Sequence, residues 1–167
     1  MLAIKVRWKK YLTPIFSKLI KGIIMKHMKT IFLVWLIFFS QNSFGANYQV
    51  TMNDRDSAGN RLAFDKEILS ISSGDSVTWL PVDKGHNIEM VASPNNLKFS
   101  SSAGEEVTLK FEDPGIYYYR CSPHKSAGMI GLIIVDNNYS NIEQIKSSNA
   151  PGRAKIKLNS LLESLQK

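Results

Sequence analysis

The 167-residue chain is long enough for one ordinary domain with a core, and its formal net charge of +7 first suggests an anionic partner such as nucleic acid. The position of the charges excludes that class. Residues 1–45 hold eight Lys or Arg and no Asp or Glu, whereas residues 46–167 hold 13 basic and 14 acidic residues. Cys121 is the only cysteine, so no disulfide forms within the chain. It is either a chemically used thiolate or a buried inert thiol.

The N-terminal segment has the order of a secretory signal peptide, in which a basic start, an apolar run and a small-residue cleavage site follow one another. The basic start contains Lys26, His27 and Lys29, and the apolar run is Ile31–Phe39. Nine apolar residues are too few to cross a hydrocarbon core of roughly 30 Å as a helix, so a membrane anchor is the less favoured alternative. Small residues at Ser43 and Gly45 predict cleavage after Gly45.

This interpretation divides the chain into two parts. Residues 1–45 form an N-terminal extension with the signal peptide, and residues 46–167 form the exported domain. Met25 and Met28 each stand just before a complete signal peptide, so residues 1–24 are either a long basic extension or lie upstream of the true start. Export places the mature chain, which begins at Ala46 and carries no membrane anchor, in the periplasm.

Short apolar segments separated by turn residues predict a mainly β protein, a β-sandwich, for most of the exported part. The predicted strands are Tyr48–Met52, Ile68–Ile71, Val77–Leu80, Val107–Phe111, Ile116–Cys121 and Ile130–Val135. Asn53–Asn60 is rich in turn-forming residues, and the apolar last strand is long enough to be buried on both faces. Helical spacing then predicts two short C-terminal α-helices, Asn141–Ser147 and Gly152–Gln166, packed on the sandwich.

Four side chains with metal-binding donors form the chemically informative part of the sequence. Cys121, His124 and Met129 lie within nine residues between the last two predicted strands, and His86 follows the strand Val77–Leu80. Two histidines and one cysteine in a plane, with a weak axial methionine, are the ligand set of blue-copper sites. Such a site suits both Cu(II), which favours imidazole nitrogen, and Cu(I), which favours sulfur, so little reorganisation opposes electron transfer.

Each predicted ligand also has an ordinary structural interpretation. A loop histidine such as His86, or a methionine such as Met129 at the start of an apolar strand, more often binds no metal. The combination argues against these interpretations, because residues 46–167 contain only two histidines and one cysteine, and all three fall in the pattern. A zinc site would need further Cys or His to complete its tetrahedron.

Three segments resemble the pseudoazurins, a group of cupredoxins. They are Val77–Asn87 (VTWLPVDKGHN), Pro114–Tyr117 (PGIY) and the loop Cys121–Met129. The resemblance covers nearly all of residues 46–167, including the C-terminal helices, which plastocyanin and amicyanin lack. The spacing Cys-x2-His-x4-Met also occurs in plastocyanin, so by itself it indicates only a cupredoxin. Two departures are a stretch at residues 91–106 that is a few residues shorter than usual and Ala127 in place of a larger apolar residue.

The resemblance implies a Greek-key sandwich of about eight strands. It implies one copper ion per chain, with His86, Cys121, His124 and Met129 as its ligands. It also implies that the side chain of Asn87 ties its loop to Ser122, the residue after the cysteine, because hydrogen bonds of this kind hold metal ligands in place.

The implied function is that of a soluble, monomeric, periplasmic one-electron carrier. Its implied partners are a nitrite reductase, a nitrous oxide reductase or another respiratory oxidoreductase. An enzyme is disfavoured, because a substrate-reducing copper protein needs a second, open metal site and both histidines of the exported part are already used. A carrier that delivers copper to another protein is the alternative.

The sequence also predicts a docking surface around the ring edge of His124, at the loop end of the sandwich. The predicted apolar rim consists of Pro81, Ala127 and Gly128. The predicted basic ring consists of Lys84, Arg120 and Lys125, with Lys98 as a further candidate. This ring resembles the lysines through which pseudoazurins meet acidic partners. Charges that only keep the surface soluble are the alternative, which Asp83 and the slightly negative net charge of the exported part favour.

Overall fold

The computed structural model describes residues 45–165. The signal peptide with its apolar run Ile31–Phe39, both internal start candidates and the two C-terminal residues lie outside this part, so the predictions about them stay predictions. Between residues 45 and 165, eight strands form two four-stranded sheets, and two helices follow the last strand. Neither helix is long and apolar enough to cross a membrane.

The strands and helices follow one another closely along the chain. The strands are β1 (Asn47–Arg55), β2 (Arg61–Phe64), β3 (Ile68–Ile71), β4 (Ser76–Pro81), β5 (Glu89–Ala92), β6 (Val107–Lys110), β7 (Gly115–Arg120) and β8 (Ile130–Val135). The helices are α1 (Ile142–Ser147) and α2 (Arg153–Ser164).

The two sheets have the strand orders β2-β1-β4-β6 and β3-β8-β7-β5. Strand β1 runs parallel to β4 and β3 runs parallel to β8, whereas the other neighbouring strands are antiparallel. Strands that are distant in sequence are thus neighbours in space, as in a Greek-key sandwich. The predicted fold class is confirmed.

The main core lies between the two sheets and is largely aromatic. The ring of Trp79 packs edge-on against Tyr119, with 5.1 Å between ring centroids, and Tyr119 packs against Phe64 at 4.8 Å. All three side chains are fully buried, and burying a side chain such as Phe64 stabilises the fold by about 1.5–3 kcal/mol. Cys121 and Met129 belong to the same buried cluster. Two of the predicted ligands are therefore part of the rigid core.

A second core lies on the other face of the sheet that contains β8. There, buried residues of the sheet meet helix residues: Ile116, Tyr118, Ile130, Leu132 and Ile134 with Ile145, Ala154, Leu158 and Leu162. Every residue of β8 is buried, which confirms the prediction for the last strand. Asn141 fixes the start of α1, because its side chain accepts from the backbone N–H of Ile116 and donates to the backbone oxygen of Ile116, both at 2.9 Å.

The structure corrects the predicted elements in one region and adds two strands. The segment Asn53–Asn60 is not all turn, because β1 continues to Arg55 and pairs there with Arg61 of β2. The turn itself is held by Asp56, whose carboxylate accepts the backbone N–H groups of Ala58 and Asn60 at 3.0 and 2.8 Å. Strands β2 and β5 were not predicted, because their sequences, RLAF and EMVA, neither alternate apolar and polar residues nor are rich in β-branched residues. Only their pairing with longer strands makes them regular.

Candidate metal centre

Two loops at one end of the sandwich carry the predicted ligands. His86 lies on the loop between β4 and β5, and the other three lie on the loop between β7 and β8. Because β7 and β8 are antiparallel neighbours, the residues that follow and precede them, Cys121 and Met129, meet across the loop. The backbone N–H of Cys121 donates to the oxygen of Met129 at 2.9 Å. A nine-residue spacing thus closes into a compact loop.

The interior of this loop is a single 3-10 turn that presents His124. The backbone N–H of His124 donates to the oxygen of Cys121 at 3.2 Å, and that of Ala127 donates to the oxygen of His124 at 3.0 Å. The turn Lys125–Ala127 ends at Gly128, whose φ of +94° favours glycine. Backbone hydrogen bonds within the loop therefore hold its shape.

Three donor atoms converge at the centre of the site. The Nδ1 atoms of His86 and His124 are 3.1 Å apart, and they lie 3.7 and 3.4 Å from the Sγ atom of Cys121. A point equidistant from the three atoms lies about 2 Å from each, which is the length of metal–nitrogen bonds and close to that of metal–sulfur bonds in proteins. The donor atoms of His86, Cys121 and His124 are therefore spaced so that they could hold one metal ion.

The chemistry of these donors also fits a cation. The Nδ1 atoms of His86 and His124 are 3.1 Å apart, and a neutral imidazole whose proton is on Nε2 presents the lone pair of Nδ1, so both atoms can act as metal donors. Burial raises the pKa of the Cys121 thiol, although the backbone N–H groups of Asn87 and His124 oppose this effect. A positive ion at the centre would stabilise the thiolate and satisfy all three donors.

The four predicted ligands differ in their exposure to solvent. His86, Cys121 and Met129 are fully buried, whereas His124 is half-buried. His124 is thus the one predicted ligand that is in contact with solvent. Met129 belongs to the core cluster that contains Cys121, and its backbone N–H faces the oxygen of His124 at 3.4 Å.

Hydrogen bonds join the two loops next to the donors. The side-chain oxygen of Asn87 accepts the backbone N–H of Ser122 at 2.8 Å, and its amide group donates to the oxygen of Ser101 at 3.1 Å. The oxygen of His86 accepts the backbone N–H of Gly104 at 2.8 Å. These contacts join the loop that carries His86 to the loop that carries Cys121.

Sequence reasoning missed two acidic residues beside the site. Asp54, at the end of β1, has its Oδ1 atom 3.1 Å from Nε2 of His86. Glu89 accepts the hydroxyl of Ser122 at 2.8 Å and forms two hydrogen bonds with Arg120, which lower the pKa of Glu89. Asp54 lies 32 residues from its partner and Glu89 lies 31 residues from Arg120, so no local pattern pointed to either contact.

The predicted docking residues do not all lie on one surface. Lys84, Lys98 and Ala127 are exposed, and Pro81 and Lys125 are half-buried. Two residues were placed wrongly on that surface, because a local sequence cannot show what packs over it. Arg120 is only 8% exposed, and its guanidinium is bound to Glu89 and to the oxygen of Asn149. Gly128 is buried against α2, where an added Cβ would lie 3.5 Å from the Cβ atom of Arg153.

Comparisons with known proteins agree with this fold and donor set. Residues 48–136 match the family of copper-binding proteins described as plastocyanin/azurin. A protein of Rhizobium leguminosarum bv. viciae that is assigned to the pseudoazurins is 35% identical over 127 residues, which cover 74% of this chain and 83% of the relative.

Solved structures give the same result. Pseudoazurin from Methylobacterium extorquens AM1 superimposes with a TM-score of 0.65 and 30% identity, over 71% of this chain and 98% of that one. Pseudoazurin from Hyphomicrobium denitrificans also gives a TM-score of 0.65, with 31% identity over 71% and 98% of the two chains.

A two-sheet sandwich whose end loops bring together two imidazoles, a thiolate and a buried thioether is the architecture of a single-copper protein. The chain belongs to the plastocyanin/azurin family of copper-binding proteins and, within it, to the pseudoazurins. It is a blue-copper protein of electron transport, and copper is its cofactor.

Proposed function

We propose that this protein is a periplasmic one-electron carrier, not an enzyme, whose copper ion is held by His86, Cys121, His124 and Met129. The observation that carries the proposal is the triangle of two Nδ1 atoms and one Sγ atom at 3.1–3.7 Å, built from two loops at one end of a rigid core. The bound ion supplies the one-electron couple. The chain supplies the donors, on two loops that are joined by the hydrogen bond between Asn87 and Ser122.

Each ligand has a distinct part in this proposal. Cys121 and Met129 are anchored in the inter-sheet core, so their sulfur atoms keep their positions when the charge of the site changes. His86 is held by its neighbour Asn87 and by the backbone of Gly104. His124 is half-buried, and its ring edge is the shortest route between the site and the surface. A rigid site reduces the reorganisation that opposes electron transfer.

The docking surface that we propose is smaller than the sequence predicted. Half-buried Pro81 and exposed Ala127 form an apolar rim near the His124 ring, and Lys84 and Lys125 supply positive charge, with Lys98 as a further contributor. This arrangement favours a redox partner with an acidic surface, such as a nitrite reductase, a nitrous oxide reductase or another respiratory oxidoreductase. The protein acts as a monomer in this proposal.

Stopped-flow mixing of the copper-loaded, reduced protein with candidate reductases tests the proposal. The reduced protein should regain its visible absorption as it donates an electron, with single-exponential kinetics under excess reductase. Transfer of copper to a metal-free acceptor protein, measured in parallel, tests the alternative role of a copper carrier. We expect slow copper release, because three of the four ligands are fully buried. Rapid copper transfer without electron transfer would favour the carrier.

Export is part of the proposal and predicts one N-terminus. Protein isolated from the periplasm should begin at Ala46, as N-terminal sequencing would show. In the structure, the Ala46 nitrogen lies 2.7 Å from Oδ1 of the buried Asp75 side chain, so cleavage after Gly45 would place a new ammonium group beside a carboxylate. A mature protein that retains residues 25–45 would contradict the prediction and support an anchor.

Acid should detach His124 before His86 in the reduced protein, because half-buried His124 is in contact with solvent whereas His86 is fully buried. Burial lowers the pKa of His124 from its usual 6.5, and the nearby His86 lowers it further, whereas Asp54 opposes the shift. Because the folded site disfavours the protonated ring, protonation requires a pH below the usual histidine range and favours a state in which the ring has left the donor triangle. The rate of electron donation should therefore decrease as the pH falls below the usual histidine range. NMR titration that shows His86 protonating first would contradict this expectation.

A further inference from the structure

A carboxylate lies directly behind the buried ligand His86. The Nε2 atom of His86 is 3.1 Å from Oδ1 of Asp54, on the side of the ring opposite to the Nδ1 atom that faces Cys121 and His124. The His86 side chain is fully buried, whereas that of Asp54 is 66% exposed. One imidazole ring therefore joins a charged group at the surface to the interior of the site.

The position of Asp54 is fixed by the sandwich itself. Asp54 lies in β1, and its backbone N–H donates to Oδ2 of Asp83 at 2.7 Å. The backbone N–H groups of Val82 and Asp83 both donate to the oxygen of Met52, at 3.2 and 3.3 Å. These bonds tie the end of β1 to the loop that carries His86, so the backbone of Asp54 is held within reach of the His86 ring.

We infer that Asp54 is a positioning residue that holds the proton of His86 on Nε2 and whose negative charge favours Cu(II) over Cu(I). The inference rests on the proposed role of His86 as a copper ligand. An acceptor at Nε2 leaves the Nδ1 lone pair free for the metal and fixes the ring orientation. A charged acceptor does more, because it increases the electron density of the ring and stabilises the more positive ion.

The charge and the hydrogen bond of Asp54 have separable effects. Asparagine has nearly the shape of aspartate and keeps an oxygen that can accept the Nε2–H, but it carries no charge. Alanine removes both. Solvent weakens the effect of a carboxylate that is 66% exposed, so a moderate change of the reduction potential is expected, without loss of copper binding.

Voltammetry of the copper-loaded protein tests the inference. The variant Asp54→Asn should have a higher reduction potential than the wild type, with its visible and EPR spectra nearly unchanged. Asp54→Glu, which keeps the charge, should shift the potential less than Asp54→Asn. Glu163→Gln is the matched control, because it also removes one negative charge. Glu163 is at an exposed position of α2, the helix that packs on the other sheet. This control should leave the potential close to that of the wild type.

A potential of Asp54→Asn that equals that of Glu163→Gln, or falls below the wild type, would overturn the inference. In Asp54→Ala we expect the higher potential together with a changed EPR spectrum, because the ring has lost its acceptor. An Ala variant identical to the wild type in both properties would also overturn it. A wild type that takes up copper without a reversible couple would refute the proposed function and this inference together, whereas a reversible wild-type couple leaves the potential of Asp54→Asn to decide the inference alone.

Discussion

Cys121→Ser should abolish the intense visible absorption of the copper-loaded protein. The absorption arises from charge transfer between a thiolate and Cu(II), and a serine hydroxyl cannot replace the soft sulfur donor. The substitution removes one corner of the donor triangle, in which Sγ lies 3.7 and 3.4 Å from the two Nδ1 atoms. Because Cys121 is fully buried in the core, no exposed side chain can move in to take its place.

The matched control for this variant is Met129→Leu. Leucine has a volume similar to that of methionine, so the core should remain packed, with a cost below about 1.5 kcal/mol. Its visible absorption should persist, because the thiolate and both imidazoles are still present, whereas its reduction potential should change. Visible and EPR spectra of both variants, together with copper content per chain, would measure the effect. Retention of the strong colour by Cys121→Ser would refute Cys121 as a ligand.

Reversing Lys84 and Lys125, the two lysines of the proposed docking surface, should slow association with an acidic partner. The double variant Lys84→Glu and Lys125→Glu should lower the association rate about tenfold at low ionic strength, because charges near a docking surface mainly steer the encounter. The difference should shrink above about 0.1 M salt, where the Debye length falls below about 10 Å. Stopped-flow measurements at several salt concentrations would test it, and the copper spectrum should not change.

The structure predicts that the two lysines contribute unequally. Lys84 is exposed, whereas Lys125 is half-buried. A half-buried lysine presents less of its charge to an approaching partner, so Lys84→Glu alone should have the larger effect. The pair Lys110→Glu and Lys155→Glu is a control with the same change in net charge. If the control slows association as much as the test pair, the effect reflects net charge and not a docking surface.

The sequence predicted the local half of the metal centre well. Cys121, His124 and Met129 lie on one short loop between two strands, so their proximity follows from chain connectivity alone. His86 could be added because residues 46–167 contain only one other histidine. The apolar strand Ile130–Val135 and the two helices were also predictable, since they are periodic or continuous over enough residues to be distinctive.

Tertiary structure decided what lies around the ligands. Contacts between Asp54 and His86, and between Glu89 and Arg120, join residues more than 30 positions apart, and only strand pairing brings them together. Arginine is a residue type that is usually exposed, but the Arg120 guanidinium is bound to Glu89, which neutralises its charge, and to the oxygen of Asn149, just after α1. Residue types and spacing thus predicted the donors of the proposed copper site, because three of the four lie on one short loop. The charge and access of the site depend on the packing of distant strands and helices, which a local pattern does not contain.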